Sequence, residues 1–195
     1  MFVSFEGIDG CGKTTQAALL AASLRRDGIE VVHTREPGGT PLGEKLRELV
    51  LHGDHVAPWA EAALYAAARA QHVDQVIRPA LDRGATVVCD RYLDSSAAYQ
   101  GGGRELGLDT VYELNLAVVD GLLPDRTFLV EVSPEEAERR VGGMGDRIER
   151  DGVALWARAA AAYAELARRF PERYVVLDGA QAVEQIAEEV RERLR

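Results

Sequence analysis

Cysteine is scarce in this sequence, which contains only Cys11 and Cys89. Two thiols are too few for the disulfide framework that stabilises small secreted domains. We therefore predict that both cysteines are reduced and that a hydrophobic core stabilises the protein. The chain has 195 residues, 47% of them hydrophobic, which is enough for one sizeable core. We predict one domain over residues 1–195.

The sequence also lacks a long apolar run. No segment approaches the roughly 20 apolar residues that a membrane-spanning helix requires. The first residues form a strand-like segment and not a basic, then apolar, secretory leader. We therefore expect a cytoplasmic protein that has no membrane partner.

Positive charge is in deficit as well. The formal net charge is −9, and Lys13 and Lys45 are the only lysines. Binding to nucleic acid requires clustered lysine and arginine to neutralise the phosphates, so we expect no nucleic-acid partner. A local cationic pocket for a smaller anion is still compatible with this composition.

Short runs rich in valine, isoleucine, leucine and phenylalanine alternate with longer segments of helical periodicity. The predicted strands cover residues 1–6, 30–36, 85–90, 126–132 and 174–178. The predicted helices cover residues 13–26, 42–51, 57–83 (with a break in this segment as the alternative), 95–101, 109–119, 134–140, 148–170 and 182–194. Such alternation is typical of βαβ units. We predict a doubly wound α/β fold in which helices surround a sheet of five parallel strands.

A glycine-rich segment follows the first predicted strand and precedes the first predicted helix. It reads Gly7-Ile8-Asp9-Gly10-Cys11-Gly12-Lys13-Thr14 and matches the pattern G-x-x-x-x-G-K-[ST]. In such a loop the backbone N–H groups and the N-terminus of the helix bind phosphate oxygens. We predict that these eight residues form a phosphate-binding loop for a nucleotide.

Three side chains have defined expected roles at this loop. Lys13 should bridge the β- and γ-phosphates, and Thr14 should offer its hydroxyl to Mg²⁺. Asp90 ends an apolar strand, the position of a carboxylate that holds the metal through water, although a routine strand-end aspartate is the alternative. Neither lysine follows an asparagine, so the Asn-Lys-x-Asp segment of GTPases is absent and that class is excluded.

Five segments together resemble the bacterial thymidylate kinase family in their residues, order and spacing. They are residues 5–16, 35–40, 90–92, 99–104 and 146–149. The resemblance implies the P-loop NTPase fold with five parallel strands and a short lid near residues 134–149. It also implies Mg²⁺ as cofactor, ATP as phosphoryl donor, dTMP as acceptor and a homodimer.

The resemblance further assigns the acceptor site. The implied dTMP-binding residues are Asp9, Glu36, Pro37, Arg47, Tyr65, Arg69, Arg91, Ser96, Tyr99 and Gln100. Among them, Tyr65 takes the position of an aromatic residue that stacks on thymine, and Arg69 that of the arginine that hydrogen-bonds the base. Tyr99 takes the position of the aromatic residue whose bulk disfavours ribonucleotides.

Simpler alternatives exist for several of these residues. Tyr65 and Tyr99 could be buried helix residues, and Ser96 could begin a helix. Arg47 could pair with Glu44 at i,i+3. Glu36 could belong to a surface turn, and Asp9 could cap a helix. No role is predicted for His33 or His72, and a solvated loop is predicted around His52, Asp54 and His55.

The catalytic residues implied by the resemblance are cationic, apart from Asp9. Lys13 and Arg91 contact phosphates, and relatives without an arginine in the phosphate loop supply arginines from the lid. The candidates here are Arg140 and Arg147, with Arg139 third, and Gly142, Gly143 and Gly145 would let the lid close. The alternative is that Arg139 and Arg140 pair with Glu135 and Glu136 on a solvated helix.

Two alternatives to a thymidylate kinase remain open. The first is another nucleoside monophosphate kinase, from which the base pocket would distinguish it. The second is a nucleotide-binding switch without catalytic activity. The acceptor-side arginines argue against the switch, because a switch has no second phosphate to bind.

Overall fold

The computed structural model describes residues 1–142 and 147–194. Its sheet contains β1 (Phe2–Glu6), β2 (Val31–Arg35), β3 (Thr86–Asp90), β4 (Arg126–Glu131) and β5 (Tyr174–Asp178). The order is β2-β3-β1-β4-β5, and all neighbours are parallel. The predicted α/β fold with five parallel strands is confirmed.

The helices lie in the connections between these strands, except for the last, which follows β5. They are α1 (Lys13–Arg26), α2 (Pro41–His52), α3 (Pro58–His72), α4 (Arg78–Asp82), α5 (Leu93–Ser96), α6 (Leu108–Val118), α7 (Pro134–Val141), α8 (Gly152–Arg169) and α9 (Val183–Arg193). Ser133 caps α7 by accepting the N–H of Glu136 at 3.2 Å, and Pro134 is its first residue. None of the described helices is long and apolar enough to cross a membrane.

Three predicted helices differ from the structure. The segment 57–83 is interrupted by π-helical turns at Val73–Ile77. Pro79 lies just after these turns and has no N–H to donate to them. The segment 95–101 is mostly π-helical, at Ala97–Gly103, and ends in three glycines, which are weak helix formers. The helix predicted from 148 begins only at Gly152. The φ of 73° at this residue prevents a regular helix from continuing back to residue 148.

Apolar side chains cover both faces of the sheet. β1 and β3 are buried along their whole length, as expected for central strands of a parallel sheet. On one face, Phe5 and Phe128 stack with ring centroids 5.2 Å apart, in a cluster that includes Leu20 of α1 and Ile186 of α9. Because the strands are parallel, their carboxyl ends meet at one edge, where clefts form in such sheets.

Candidate active site

The loop after β1 curves tightly over this edge. Gly7, Gly10 and Gly12 have φ values of 137°, 77° and 99°, which glycine adopts without strain. A Cβ atom at Gly7 would lie 2.5 Å from the carbonyl oxygen of Val130, and one at Gly10 would lie 2.7 Å from that of Ala137. The loop therefore packs against β4 and α7 with no room for side chains at these two positions.

Lys13 and Asp9 lie together at the loop. The buried Nζ of Lys13 lies 3.4 Å from the carbonyl oxygen of Ile8 and 3.6 Å from Oδ1 of Asp9. Asp9 also accepts from Nη2 of Arg91 at 2.5 Å and from the Tyr99 hydroxyl at 2.7 Å. Burial acts to raise the pKa of Asp9, but Arg91 and Lys13 outweigh it and hold that pKa well below its usual value. Asp9 is thus an ionised bridge between two cations and not a helix cap.

Thr14 and Asp90 form the second polar pair at the loop. The Thr14 hydroxyl donates to Oδ2 of Asp90 at 2.5 Å. Oδ1 of Asp90 is buried and has no hydrogen-bond partner within the described part of the chain. A hydroxyl and a carboxylate with an unused oxygen are hard ligands of the kind Mg²⁺ prefers. These two residues fit the predicted magnesium site.

Arg91 extends from the end of β3 to the loop. Its φ is 69°, an uncommon value for a residue with a side chain. Nη1 donates to the carbonyl oxygen of Gly7 at 3.2 Å and to the Ser95 hydroxyl at 3.0 Å. Burial acts to lower the pKa of Arg91, but Asp9 in particular raises it well above the usual value. The guanidinium is therefore a fixed positive charge beside the phosphate loop.

A cleft opens on the other side of Asp9 and Arg91. Its lining contains all ten residues predicted to bind the acceptor, namely Asp9, Glu36, Pro37, Arg47, Tyr65, Arg69, Arg91, Ser96, Tyr99 and Gln100. Leu51, Ser95 and Ile148 also line it and were not singled out from the sequence. The fold thus brings five distant segments, near residues 9, 36–51, 65–69, 91–100 and 148, to one cleft, while the individual roles of these residues stay predictions.

Glu36 and Arg69 form a buried ion pair in this cleft. Nε of Arg69 donates to Oε2 of Glu36 at 2.6 Å, and Nη1 donates to Ser96 at 3.0 Å and to Oδ1 of Asn115. Burial acts to raise the pKa of Glu36, but Arg69 and then His72 lower it below the usual value. The surface-turn alternative for Glu36 is therefore wrong.

His72, for which the sequence predicts no role, supports this ion pair. Its Nδ1 lies 2.9 Å from Oε1 of Glu36, and its Nε2 lies 2.7 Å from the hydroxyl of Thr34. The ring is fully buried between β2 and α3. The available signal was helical spacing, because His72 lies three residues after Arg69 and so on the same face of α3.

Arg47 points to the loop after β2. Its Nη1 donates to the carbonyl oxygen of Pro37 at 3.1 Å. Within the described residues, Glu44 pairs with Arg35 at 2.9 Å and not with Arg47. The alternative of a plain i,i+3 pair on α2 is therefore wrong.

The two principal lid arginines occupy different places. Arg140 lines a second cleft with Gly7 and Ile8, at the carboxyl ends of β4 and β5. Its Nε donates to Glu136 at 2.6 Å, and its Nη2 donates to the carbonyl oxygen of Gly179 at 3.1 Å. The predicted alternative of a pair with Glu136 is thus present for Arg140, and Arg139 also pairs with Glu136.

Arg147 is not brought to the phosphate loop. Its Nη2 donates to the fully buried Glu61 at 2.6 Å, and its Nε donates to the carbonyl oxygen of Val50 at 2.9 Å. It lines a separate cleft that includes His55 and Arg104. The predicted hinge residues Gly143 and Gly145 lie outside the described residues.

Sequence reasoning also missed several buried polar residues around these clefts. They are Glu6, Glu61, Asp94, Asn115 and Arg173. Each bonds to residues distant in sequence, as when Asp94 pairs with Arg173 at 2.5 Å. No local pattern marks such contacts, except that Glu6 directly precedes the phosphate loop.

A phosphate loop between the central strand and α1, at the carboxyl edge of a parallel sheet, defines a P-loop NTPase. Comparison with known proteins narrows this class. A family model described as thymidylate kinase matches residues 5–190. The chain belongs to the thymidylate kinase family.

Individual relatives agree with this assignment. The chain is 52% identical to a thymidylate kinase of Leifsonia xyli subsp. xyli, over 100% of this chain and 94% of the relative. It is 49% identical to one of Bifidobacterium longum subsp. infantis, over 95% and 82% of the two chains. The crystal structure of thymidylate kinase from Ehrlichia chaffeensis superposes with a TM-score of 0.84 at 34% identity, covering 100% of this chain and 97% of that one.

Proposed function

We propose that this protein is a thymidylate kinase that transfers the γ-phosphate of ATP to dTMP and yields dTDP and ADP. One observation carries the proposal. Asp9 lies in the phosphate loop beside Lys13, Arg91 donates to Gly7 of that loop, and both residues also line the acceptor cleft. A donor phosphate on the loop and an acceptor phosphate in the cleft would therefore meet at Arg91.

Transfer at this point needs no general base, because the attacking phosphate oxygen of dTMP is already ionised at neutral pH. The protein contributes positioning and charge neutralisation. Lys13 binds the donor phosphates as a point charge, and the planar fork of Arg91 can hold oxygens of both nucleotides. Thr14 and Asp90 would hold Mg²⁺, which neutralises charge on the phosphates when it is bound.

The acceptor cleft provides the selectivity. Tyr65 offers a ring on which thymine stacks, and Arg69 and Ser96 provide hydrogen-bonding groups at the base. Stacking alone accepts any base, so discrimination must come from those groups and from the shape of the cleft. Tyr99 disfavours ribonucleotides by its bulk, and Glu36, Pro37, Arg47 and Gln100 complete the acceptor site.

At the donor side, Arg140 is the favoured lid arginine. It lies in the cleft that includes the phosphate loop, whereas the contacts of Arg147 with Glu61 favour an anchoring role. The lid is proposed to span residues 134–149 of a single domain and to close over ATP. We expect the reaction to take place in the cytoplasm.

We further propose a homodimer. Leu42 and Leu49 lie seven residues apart on one face of α2, and Trp59 lies on the adjoining α3. All three are exposed. A second copy that covers this face would remove large apolar side chains from water.

A coupled assay tests the function. ATP and Mg²⁺ are supplied with a panel of nucleoside monophosphates, namely dTMP, dUMP, UMP, dCMP, AMP and GMP. We expect the highest kcat/KM with dTMP. A higher value with another monophosphate would establish the first alternative, and ATP binding without transfer to any of them would establish a nucleotide-binding switch.

A further inference from the structure

Glu6 is a buried carboxylate beneath the phosphate loop, at the end of β1. Its Oε1 accepts the backbone N–H of Tyr92 at 2.7 Å. Its Oε2 accepts from the hydroxyls of Ser95 at 2.6 Å and Tyr163 at 3.0 Å. These three donors belong to the turn after β3, to α5 and to α8, so Glu6 joins three separate elements.

The same two hydroxyls contact Arg91. Nη1 of Arg91 lies 3.0 Å from the Ser95 oxygen and 3.4 Å from the Tyr163 oxygen, and these two oxygens lie 2.8 Å apart. A hydroxyl has one hydrogen to donate. When Glu6 is ionised it can only accept, so the hydrogens of both hydroxyls lead toward it whichever donates to the other, and their lone pairs are left to accept from Arg91.

Glu6 also fixes the backbone next to Arg91. The N–H that Oε1 accepts belongs to Tyr92, the residue directly after Arg91. Arg91 itself has the uncommon φ of 69°, which persists only where the surroundings hold it. Glu6 therefore supports both the peptide after Arg91 and the side chains that contact its guanidinium.

We propose that Glu6 is a positioning residue, which orients the hydroxyls of Ser95 and Tyr163 and through them holds the Arg91 guanidinium between the phosphate loop and the acceptor cleft. The inference rests on the proposed function, in which Arg91 contacts both phosphates. Glu6 does not line the acceptor cleft and is not expected to touch either nucleotide.

The substitution Glu6→Gln tests the orientation directly. Glutamine keeps the shape, and its Oε1 can still accept the N–H of Tyr92. Its Nε2 then faces Ser95 and Tyr163 and donates, so one hydroxyl can still donate to the other while the second hydrogen loses its acceptor and turns toward Arg91. At about pH 9, where the wild-type Glu6 carboxyl is ionised, we expect kcat with dTMP to be about tenfold to a hundredfold lower in Glu6→Gln, because small displacements of a positioning group have effects of this size.

A double-mutant cycle separates this role from general damage. The same Glu6→Gln change is made in a Ser95→Ala/Tyr163→Phe enzyme, in which both hydroxyls that join Glu6 to the guanidinium are gone. There it should change kcat by less than about twofold. An equal loss in both backgrounds, or a Glu6→Gln enzyme with the kcat of the wild type, would overturn the proposal.

Asp94→Asn is the matched control. Asp94 is also a fully buried carboxylate beside this site, but it pairs with Arg173 and not with the Arg91 network. We expect a lower melting temperature and, at the same pH, a kcat within about twofold of the wild type, because removing the Asp94 charge lowers the pKa of Glu6 and so keeps it ionised. A loss of kcat equal to that of Glu6→Gln would show that any buried charge matters, and the proposal would fail.

If Glu6→Gln does not fold, the kcat values of the single variants Ser95→Ala and Tyr163→Phe test the proposal instead. Unchanged kcat in both would overturn it. Wild-type turnover of dTMP tests the proposed function by itself. Its absence would refute that function, whereas normal turnover with unaffected variants would refute only the role of Glu6.

Discussion

Lys13 is the residue on which phosphate transfer should depend most. It is buried at the start of α1, and its charge lies beside Asp9 rather than in the hydrophobic core. We expect Lys13→Ala to lower kcat by at least about a hundredfold, because it removes a fixed charge that stabilises the transferring phosphate. Stopped assays with dTMP would measure kcat, and melting curves would show whether the variant is folded.

The only other lysine provides the control for this prediction. Lys45 lies exposed on α2. Lys45→Ala should therefore leave kcat unchanged. A folded Lys13→Ala enzyme with near-normal turnover would contradict the assignment of the phosphate loop.

Tyr99 combines two properties that substitution can separate. Its hydroxyl donates to Asp9 at 2.7 Å, while its ring lines the acceptor cleft. Tyr99→Ala should raise activity on the ribonucleotide relative to dTMP, because the bulk beside the 2′ position is lost. Tyr99→Phe keeps that bulk and should retain the wild-type ratio. The measured quantity is the ratio of kcat/KM for the ribonucleotide to kcat/KM for dTMP. An equal ratio in the wild type and both variants would reject the role of the ring.

Glu6 should make stability depend on pH in a defined interval. Burial, and secondarily Asp94, raise its pKa from 4.5 to about 8. Between these values the folded protein holds a proton that the unfolded chain has released. The contribution of Glu6 to the free energy of unfolding is therefore fully present below pH 4.5, and it is lost as the pH rises through about 8.

Calorimetry on the wild type and Glu6→Gln would measure this effect. The melting temperature of the wild type minus that of the variant should decrease from about pH 5 to about pH 8.5, because glutamine does not titrate. A constant difference across this interval would show that the Glu6 carboxyl keeps an ordinary pKa in the folded protein.

At the scale of elements, the sequence predicted the strands better than the connections. Strands of a parallel sheet are short apolar runs, and each predicted run contains a strand of the structure. A break in the helix at 57–83 was open as an alternative, but its π-helical form at Val73–Ile77 was not predicted, nor were the π-helical turns at Ala97–Gly103. Apolar periodicity does not distinguish hydrogen bonds between residues i and i−4 from those between i and i−5. The second of these segments carries Tyr99 and Gln100, so the irregularity lies at the acceptor site.

The contrast between Arg140 on α7 and Arg147 before α8 leads to a prediction about the lid. Arg140→Ala should lower kcat by at least about a hundredfold, because an arginine that stabilises transferring phosphate can contribute several orders of magnitude. Arg147→Ala should mainly lower the melting temperature, because it leaves the buried Glu61 with one cation fewer. Turnover and melting curves of both variants would measure this.

Arg139→Ala is the control on the same helix, since Arg139 is exposed and pairs with Glu136 as Arg140 does. It should retain kcat, because a surface ion pair contributes at most about 1 kcal/mol to stability. Full turnover in Arg140→Ala and Arg147→Ala together would mean that the lid supplies no catalytic arginine.

Across the whole molecule, the site was predictable where a motif or the family resemblance marked it. The phosphate loop and the ten acceptor-cleft residues were named from the sequence. The residues that support them, such as Asn115 against Arg69, were not named. Asn115 lies 46 positions from Arg69 and is a single polar residue on an apolar helix face. Only the packing of α6 against α3 reveals why it is polar.

The exposed face of α2 and α3 leads to a prediction about assembly. Leu49 is 54% exposed, and in the proposed homodimer it is covered by the second copy. Leu49→Asp would place a carboxylate against apolar side chains, where an unpaired charge is costly. We expect the wild type to have the mass of a dimer in light scattering, and Leu49→Asp to have the mass of a monomer at the same concentration.

Leu19 provides the matched control because it is also an exposed leucine, at 39%, but on α1. Leu19→Asp should remain dimeric, since α1 packs against α9 and β2 and lies outside the proposed interface. A wild type with the mass of a monomer would refute the homodimer. A dimer that survives Leu49→Asp but not Leu19→Asp would move the interface to the opposite side of the sheet, away from α3 and therefore away from Tyr65 and Arg69. In the arrangement proposed here, α3 contacts the second copy with one face and the acceptor with the other, so that loss of the dimer should also raise the KM for dTMP more than the KM for ATP.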